Sequence, residues 1–559
     1  MNKQNRPVKY IIVTGGVMSG IGKGITASSI GVVLKSYGLN VTSIKIDPYL
    51  NIDAGTMSPF EHGECYVLND GGEVDLDLGN YERFLGITLT KEHNITTGKI
   101  YRKIIESERN GEYLGKTVQV TPHITDCISN WIKNVASTKI LDAYSKNEIE
   151  PDICIIELGG TVGDIESMPF VESLRRMKFN MHENSMCFVH IGYLPIIKTS
   201  NEIKTKPMQH SMQTMRSLGI IPDILCVRCE KEVDNSTIDK LSIWTNTPKK
   251  NIIINTDVHN IYMVPVTFHS QRIMEKIGNQ LDLKFKWNGS AIQKWNNMAM
   301  KYQLPLPKIN VSIVGKYTRL HDSYTSLLHA INHAGLYINY RVVINWIESD
   351  DITNENYDLN CDACIIPGGF GIRGIEGMIL ASKIARNKKI PCLGICLGMH
   401  IMVIESCRHS GLTDSNSSEF NKNTENPVIC LLPDQNGVMG GTMRLGSIGT
   451  SIDKNTLTNK VYFNSNKKMG NDTLSSDNII YERHRHRYEF NDKYTEVIEK
   501  DGLHISGRSI GEGTPVDIVE IDENIHPFYI GCQFHPEFNT LPDKPHNLFV
   551  NLISSSIQD

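Results

Sequence analysis

The 559-residue chain is too long for one hydrophobic core, so two or three domains are expected. An apolar fraction of 40% fits ordinary globular packing, and a formal charge of -5 lacks the clustered Lys/Arg excess that nucleic-acid phosphates require. The polar start MNKQNRPVKY has no secretory h-region, and no apolar run reaches the roughly eighteen residues a membrane span needs, so a cytoplasmic protein acting on small molecules is expected, with no nucleic acid and no membrane as partner.

Apolar β-rich runs alternate with helix-length segments: Val8 to Val13, Val41 to Ile46, Ile153 to Ile156, Ile309 to Val314 and Cys364 to Ile366. Continuous apolar strands of this kind predict parallel sheets covered on both faces, hence an α/β fold. The first strand enters Gly15-Gly16-Val17-Met18-Ser19-Gly20-Ile21-Gly22-Lys23-Gly24, a glycine-rich turn that opens a helix. Glycines let backbone N–H groups converge on a polyphosphate, the helix N-terminus adds a favourable dipole, and Lys23 supplies a point charge. The pattern departs from a standard Walker loop: five residues separate Gly16 from Gly22, and Gly24 stands where Ser or Thr normally follows the lysine. A plain strand-to-helix turn is the alternative.

A nucleoside triphosphate needs Mg²⁺, whose ligands are carboxylate, phosphate and water oxygens. Alternation through Val74-Asp75-Leu76-Asp77-Leu78-Gly79 predicts Asp75 and Asp77 on one face. Glu157 follows an apolar strand, at the carboxyl edge where α/β sheets bind ligands. Solvated caps are the alternative for all three. Lys204-Thr205-Lys206-Pro207 puts two lysines on one side of an extended segment, with Pro207 keeping Lys206 out of helix; they clamp a second anion or simply face solvent. From Lys276 to Pro307 the pattern lapses into polar residues with Trp287, Trp295 and Pro305-Leu306-Pro307, and a fresh strand begins at Ile309. Domains are therefore expected at 1–275 and 308–559, with 276–307 as linker.

In the second half an apolar strand leads through Gly394-Ile395-Cys396-Leu397-Gly398 into an apolar helix. Small neighbours let a nucleophile stand exposed at such an elbow, and the helix dipole favours the thiolate, so Cys396 is expected to react. The other twelve of the thirteen cysteines are scattered without CxxC pairing and suggest neither a disulfide framework nor a zinc site. His535 and Glu537, in Gln533-Phe534-His535-Pro536-Glu537-Phe538, offer a base and a carboxylate to orient it. Pro367-Gly368-Gly369-Phe370-Gly371 closes another strand and can present one N–H of an oxyanion hole, with Leu397 as the other. Residues 464–478, rich in Asn, Ser and Lys, read as a mobile surface loop.

The elbow with its downstream His-Pro-Glu resembles class I glutamine amidotransferases. With the first-half motifs added, the whole chain resembles the CTP synthase family. Gly15 to Gly24, Lys45 to Tyr49 with Gly55 to Pro59, Asp75 to Gly79, Glu157 to Glu166 and Lys204 to His210 match in the first half. Gly368 to Gly371, Gly394 to Gly398, Gly440 to Gly446, Glu482 to Tyr488 and Gln533 to Phe538 match in the second.

The resemblance implies an N-terminal P-loop-like (dethiobiotin-synthetase-like) parallel-sheet domain and a C-terminal class I glutamine amidotransferase (flavodoxin-like) α/β domain. It implies a carbon–nitrogen ligase of pyrimidine biosynthesis that phosphorylates the uracil 4-oxygen of UTP with ATP and aminates it to CTP, the ammonia arriving from glutamine through an internal tunnel. Gly20, Ile21, Gly22, Lys23, Gly24 and Ile25, with Lys45, are then expected on the ATP phosphates, Arg228, Asp257 and Val258 near adenine, and Asp77 with Glu157 on Mg²⁺. Asp77 is counted with the ATP site as well. Ser19, Asp164, Ile165, Glu166, Lys204, Thr205, Lys206, Pro207, Met208, Gln209 and Lys240 are expected to hold UTP and, competitively, CTP. Gly369, Leu397, Gly398, Met399, His400, Glu419 and Arg487 are expected around glutamine, and Cys396, His535 and Glu537 as the catalytic set. His62 matches a residue beside the tunnel, or is an ordinary structural histidine. GTP activation, CTP feedback, a homotetramer and filament formation are further implications.

Three departures from the family pattern stand out. His400 replaces the usual glutamine in the expected substrate pocket, where a shorter and chargeable imidazole would alter glutamine affinity or its pH dependence. Ser323 replaces a customary alanine in a lid segment tied to the GTP response. The connection Leu432 to Gly437 resembles eukaryotic members, and the chain stops without the long regulatory tail some of them carry. Two rival readings are an amidating synthetase of cobalamin precursors, disfavoured by Lys204 to His210 and Asp164 to Glu166, and a structural filament protein with a decayed glutaminase, disfavoured by the intact Cys396, His535 and Glu537.

Overall fold

The computed structural model describes residues 7–431, 443–464, 478–511 and 513–557. The expected connection at 432–437, residues 440–442 of the glycine motif and nearly all of the 464–478 loop lie outside the described residues. The chain divides into two compact units, one of Met1–Asp53 with Asp77–Gln303, the other of Ala54–Leu76 with Leu304–Asp559.

In the first unit, seven strands form one sheet: β1 (Lys9–Gly15), β2 (Val41–Asp47), β3 (Asn94–Thr96), β4 (Ile153–Leu158), β5 (Met186–Tyr193), β6 (Ile224–Cys229) and β7 (Ile252–Thr256). Their order is β7-β6-β5-β1-β4-β2-β3, and every pairing is parallel. β2 and β4 are buried at every position, β4 as an apolar run broken only by Glu157, β2 with Thr42, Ser43, Lys45 and Asp47 among its buried residues. Ile12, Ile44, Ile156 and Phe188 pack with Ile128, Ile132 and Leu174 of flanking helices, each such burial contributing about 1.5–3 kcal/mol over exposure. From central β1 the chain winds outward both ways, so the crevice at its carboxyl end is a switch point of the kind where α/β sheets take ligands.

Five helices of this region matter below: α1 (Lys23–Ser36), α2 (Leu76–Leu85), α3 (Lys206–Ser217), α4 (Ile273–Leu281) and α5 (Gln293–Lys301). Two expectations need correction. Asp75 ends a short strand whereas Asp77 lies in the first turn of α2, so a helix replaces the strand whose alternation would have aligned them. Lys206 begins α3 instead of extending a strand, with Pro207 in the first helical turn where a missing N–H costs nothing. Helices α4 and α5 occupy much of the segment expected as linker and belong to the first unit as far as Gln303. Trp295 anchors α5 by donating to the carbonyl of Tyr262 at 2.6 Å, and Tyr262 stacks on Phe84.

The second unit carries a nine-stranded sheet of β8 (Lys308–Gly315), β9 (Arg341–Glu348), β10 (Ala363–Ile366), β11 (Cys392–Ile395), β12 (Arg444–Ile452), β13 (Ile479–His486), β14 (Leu503–Ser509), β15 (Val516–Ile521) and β16 (Tyr529–Cys532). The order is β9-β8-β10-β11-β16-β15-β14-β12-β13. The first five strands are parallel and the rest antiparallel, so the sheet is mixed. The antiparallel part escaped the sequence reading because strands such as Arg- and His-rich β13 are not apolar runs. The hairpin Cys65–Val67/Glu73–Asp75 packs within this unit. Tyr66 donates to the carbonyl of Phe538 at 2.9 Å, Arg483 donates to the Tyr66 hydroxyl at 2.7 Å, and Arg485 pairs with Glu73 at 2.9 Å.

Helix α6 (Leu397–His409) follows β11 without a loop. Gly398 lets it lie against β10, since a Cβ there would stand 2.0 Å from the carbonyl oxygen of Ile366. Gly398→Ala should therefore destabilise the second unit by about 1–3 kcal/mol through overpacking, read as a lowered melting temperature of the transition that Leu393→Ala also lowers; an unchanged transition would show that α6 can lift off the sheet freely.

Candidate active site

At the end of β1, Gly20 and Gly22 adopt left-handed φ values of 71° and 90°, and Lys23 opens α1 with its ammonium 2.8 Å from the carbonyl of Gly160. Burial pushes the Lys23 amine down, with Glu157 pulling the other way. The glycine after the lysine has a steric cause: a Cβ on Gly24 would stand 2.2 Å from Asp77 Oδ1. A carboxylate of α2 fills the space that a Walker Ser or Thr side chain would enter.

Lys45, 5% exposed, projects from β2 among three acids. It bonds Asp77 and lies 3.4 Å from Asp47 and 3.9 Å from Glu157. Tyr81 of α2 donates to Glu157. Burial, then the charge of Asp77, pushes the Glu157 carboxyl up to about 7 against the pull of Lys45 and Lys23. Crowded carboxylates of this kind fit a hard divalent cation, and Mg²⁺ commonly takes only one or two protein carboxylates and completes its shell with phosphates and water. Among the described residues no set of three or more His, Cys, Asp or Glu is arranged to hold a metal ion on its own.

Arg228 donates to the carbonyl of Gly20 at 3.1 Å and to Asp257 at 2.8 Å, so the pair expected near adenine borders the phosphate loop, with Val258 next in sequence. Lys204 bonds Glu202 at 2.6 Å, and Glu202 is held below the usual carboxylate range by Lys204 and, less, by Lys240. Gln209 donates to Thr205 at 2.9 Å on the first turn of α3. Ser19, Asp164, Ile165 and Glu166 are exposed. Met208 is buried against Gly192 in the core, so its side chain does not face that surface.

In the second unit, Cys396 sits between β11 and α6 at φ 52°, ψ -100°, a strained turn for a non-glycine residue. Its thiol lies 3.6 Å from the carbonyl of Arg485 and 3.8 Å from the Gln533 amide nitrogen. His535 Nδ1 is 2.8 Å from Glu537 Oε1. Burial alone would lower the His535 imidazole, but Glu537 and the Cys396 sulfur together lift it to about 10, so it holds its proton at neutral pH. Cys396, His535 and Glu537 line a cavity of about 650 Å³ together with Gly369, Glu419 and Arg487. Among the described residues no acceptor takes the N–H of Gly369 or of Leu397, as an oxyanion hole requires.

His400 departs from expectation. It is buried, it does not line the cavity, and its Nε2 is 2.8 Å from Gln533 Oε1. Burial pushes its imidazole down to about 4, so it stays neutral near pH 7 and the expected charging in the glutamine pocket does not occur.

Residues 9–283 match the family described as CTP synthase N-terminus, and residues 319–555 match glutamine amidotransferase class-I. CTP synthase 1 of Homo sapiens is 45% identical over 98% of this chain and 93% of its own length, and CTP synthase of Archaeoglobus fulgidus is 44% identical over 99% of each. The chain belongs to the CTP synthase family. A Trypanosoma brucei CTPS glutaminase domain with bound acivicin is 33% identical at a TM-score of 0.40, covering 44% of this chain and 93% of that one.

This member of the CTP synthase family thus pairs a synthase region with a glutamine amidotransferase region in one chain. Sequence reasoning missed several residues of its cavity: Cys65 and Glu64 from the 54–76 segment, and Arg485, which spans Glu73 and the Gly55 carbonyl. It also missed Gln533 as a neighbour of the thiol and Lys316 behind the glycine loop. The available signal was charge directly beyond or within apolar strands, as at Lys316 after β8.

Two outcomes follow from these centres. Gly24→Ser should displace Asp77 from Lys45 and lower ATP-dependent turnover at least about tenfold, because misplaced charge at a phosphoryl site loses transition-state stabilisation; steady-state rates at saturating ATP check it. Glu537→Gln removes a charge that holds the His535 proton, so the alkaline limb of glutamine hydrolysis should move to lower pH while the rate falls about 10²–10⁴-fold, as when a triad acid is neutralised. A pH profile of kcat/KM that keeps the original limb would remove Glu537 from this role.

Proposed function

We propose that the enzyme converts UTP to CTP, using ATP to activate the uracil 4-oxygen and the amide nitrogen of glutamine as donor. The observation that carries this reading is the match to CTP synthases over 98–99% of the chain, which takes in the phosphate loop and the cysteine elbow together.

In the first unit, Lys23, Lys45 and the amides of Gly20 to Ile25 bind and orient the ATP phosphates, with Arg228, Asp257 and Val258 toward adenine. Ser19, Asp164 to Glu166, Lys204 to Pro207, Gln209 and Lys240 hold UTP, and CTP in its place as feedback inhibitor. Asp77 and Glu157 would hold Mg²⁺, which when bound offsets phosphate charge. The γ-phosphoryl group passes to the uracil 4-oxygen, which turns a poor leaving group into phosphate. Ammonia adds at that carbon and phosphate departs with the oxygen.

In the second unit, the Cys396 sulfur adds to the glutamine carboxamide carbon, and the N–H groups of Gly369 and Leu397 hold the oxyanion. Collapse breaks the C–N bond as His535 gives its proton to the leaving ammonia. The neutral imidazole, oriented by Glu537, then takes a proton from the water that cleaves the glutamyl thioester. Glu419 and Arg487 suit the charged ends of glutamine. Resemblance to the family also supports GTP as activator, a homotetramer able to form filaments, and a cytoplasmic location. Among the described residues no helix is long and apolar enough to cross a membrane.

Purified protein supplied with ATP, UTP, Mg²⁺ and glutamine should form CTP, and failure to do so even with ammonium chloride would sink the reading. Cys396→Ala should abolish glutamine-dependent CTP formation while ammonium chloride still supports it, as measured by nucleotide chromatography; loss of both would break the division of labour between the two units.

A further inference from the structure

On the glutaminase reading the glycine loop Gly368 to Gly371 would receive the charge of the transition state, yet its shape is set by residues outside it. Lys316, directly after β8, is 1% exposed. Its ammonium donates to the carbonyl of Phe370 at 3.2 Å and to the carbonyl of Gly371. Glu419 Oε1 accepts the N–H of Gly371 at 2.8 Å, and the Tyr317 hydroxyl lies 3.5 Å from both the N–H and the carbonyl of Phe370. Arg373 donates to the carbonyl of Lys316 itself and pairs with Glu348 and Asp350, which fixes the backbone from which the lysine projects.

These bonds account for Phe370 and Gly371 and leave the N–H of Gly369 without an acceptor among the described residues. The loop is also pressed on the catalytic groups: a Cβ on Gly368 would stand 2.9 Å from His535 Cε1 and 3.6 Å from Cys396 Cβ. A peptide rotation anywhere in the loop would therefore be felt at the reacting carbon.

Resting on the glutaminase reading above, we propose that Lys316 is a positioning residue for glutamine hydrolysis, its ammonium anchoring the Phe370 and Gly371 carbonyls so that the Gly369 N–H stays directed at the oxyanion of the Cys396 adduct. Lys316 touches no reacting atom and acts through the loop. Charged donors make the stronger hydrogen bonds, and two carbonyls without this donor would turn toward other partners and carry their peptides with them. The charged groups facing the ammonium are Glu419, Arg373 and Asp350, with the Phe420 ring 5.7 Å away. Burial pushes the Lys316 amine down to about 8, with Glu419 opposing and Arg373 adding to the shift, so the clamp weakens as pH rises through that value. A guanidinium at the same place would stay charged.

The test is steady-state glutamine hydrolysis by the full-length protein with ATP and UTP present, comparing wild type, Lys316→Met and Lys316→Arg across neutral and alkaline pH. Lys316→Met should lose about 10²-fold in kcat, the scale of one oxyanion donor, while KM for glutamine stays within about threefold. Lys316→Arg should recover about tenfold of that loss and extend activity to higher pH than the wild type. A kcat for Lys316→Met within about threefold of wild type, or a loss carried mainly by KM, overturns the proposal. If Lys316→Met does not fold, Lys316→Gln takes its place, and a kcat within about threefold of wild type, or a loss carried mainly by KM, overturns the proposal. A wild-type protein that does not hydrolyse glutamine at all overturns the glutaminase reading instead.

Discussion

The backbone conformation of Cys396 constrains everything around it in the second unit. A non-glycine residue at φ 52°, ψ -100° costs on the order of 1–3 kcal/mol and persists only where its surroundings over-determine it. Here β11 is paired on both sides, by β10 and β16, and α6 is pressed onto β10 at Gly398, so neither strand nor helix can relax the turn between them. The sulfur is thereby held in a fixed place. His535 and Gln533 after β16, the Arg485 carbonyl of β13 and the Gly368 to Gly371 loop after β10 are arranged around it.

The cluster of charged side chains around Lys45 in the first unit solves a different problem with charge. Lys45, Asp47, Asp77 and Glu157 are all largely withdrawn from water, an arrangement that is costly unless the charges balance. Burial, then the charge of Asp77, makes Glu157 hold its proton more tightly, against the pull of Lys45 and Lys23. The absence of a side chain on Gly24 belongs to the same device, because it admits Asp77 to the head of α1. The departure from the Walker pattern is thus a substitution of a neighbouring carboxylate for a loop hydroxyl.

Much of this was legible in the residues. The apolar runs pointed to the parallel strands because most of their residues are buried on both faces, and the glycine-flanked Cys396 with His535 and Glu537 stood out because a thiol, an imidazole and a carboxylate fell in short, recognisable patterns. Other features were hidden for physical reasons. Asp75 and Asp77 looked alike in a strand register, but the chain turns helical between them. Trp295 lay in a polar stretch that resembled a linker until its docking on Tyr262 gave α5 a core to join. His400 looked like a chargeable pocket residue, and only its burial and its bond to Gln533 show a neutral one. Lys316 carries no local signature, since its partners are backbone carbonyls more than fifty residues away.

The hairpin Cys65–Val67/Glu73–Asp75 changes what a domain boundary means in this chain. The second unit is not contiguous: it takes Ala54–Leu76 from the first half and resumes only at Leu304. A fragment beginning at Leu304 would leave buried Arg483 without the Tyr66 hydroxyl and the Val67 carbonyl, Arg485 without Glu73, and Ser326 without Glu64. It would also lack the cavity wall formed by Gly55, Thr56, Met57 and Cys65. The polypeptide therefore crosses between its two units three times, and no single cut separates them. The glutamine amidotransferase region therefore draws part of its interior from a segment of the first half of the chain.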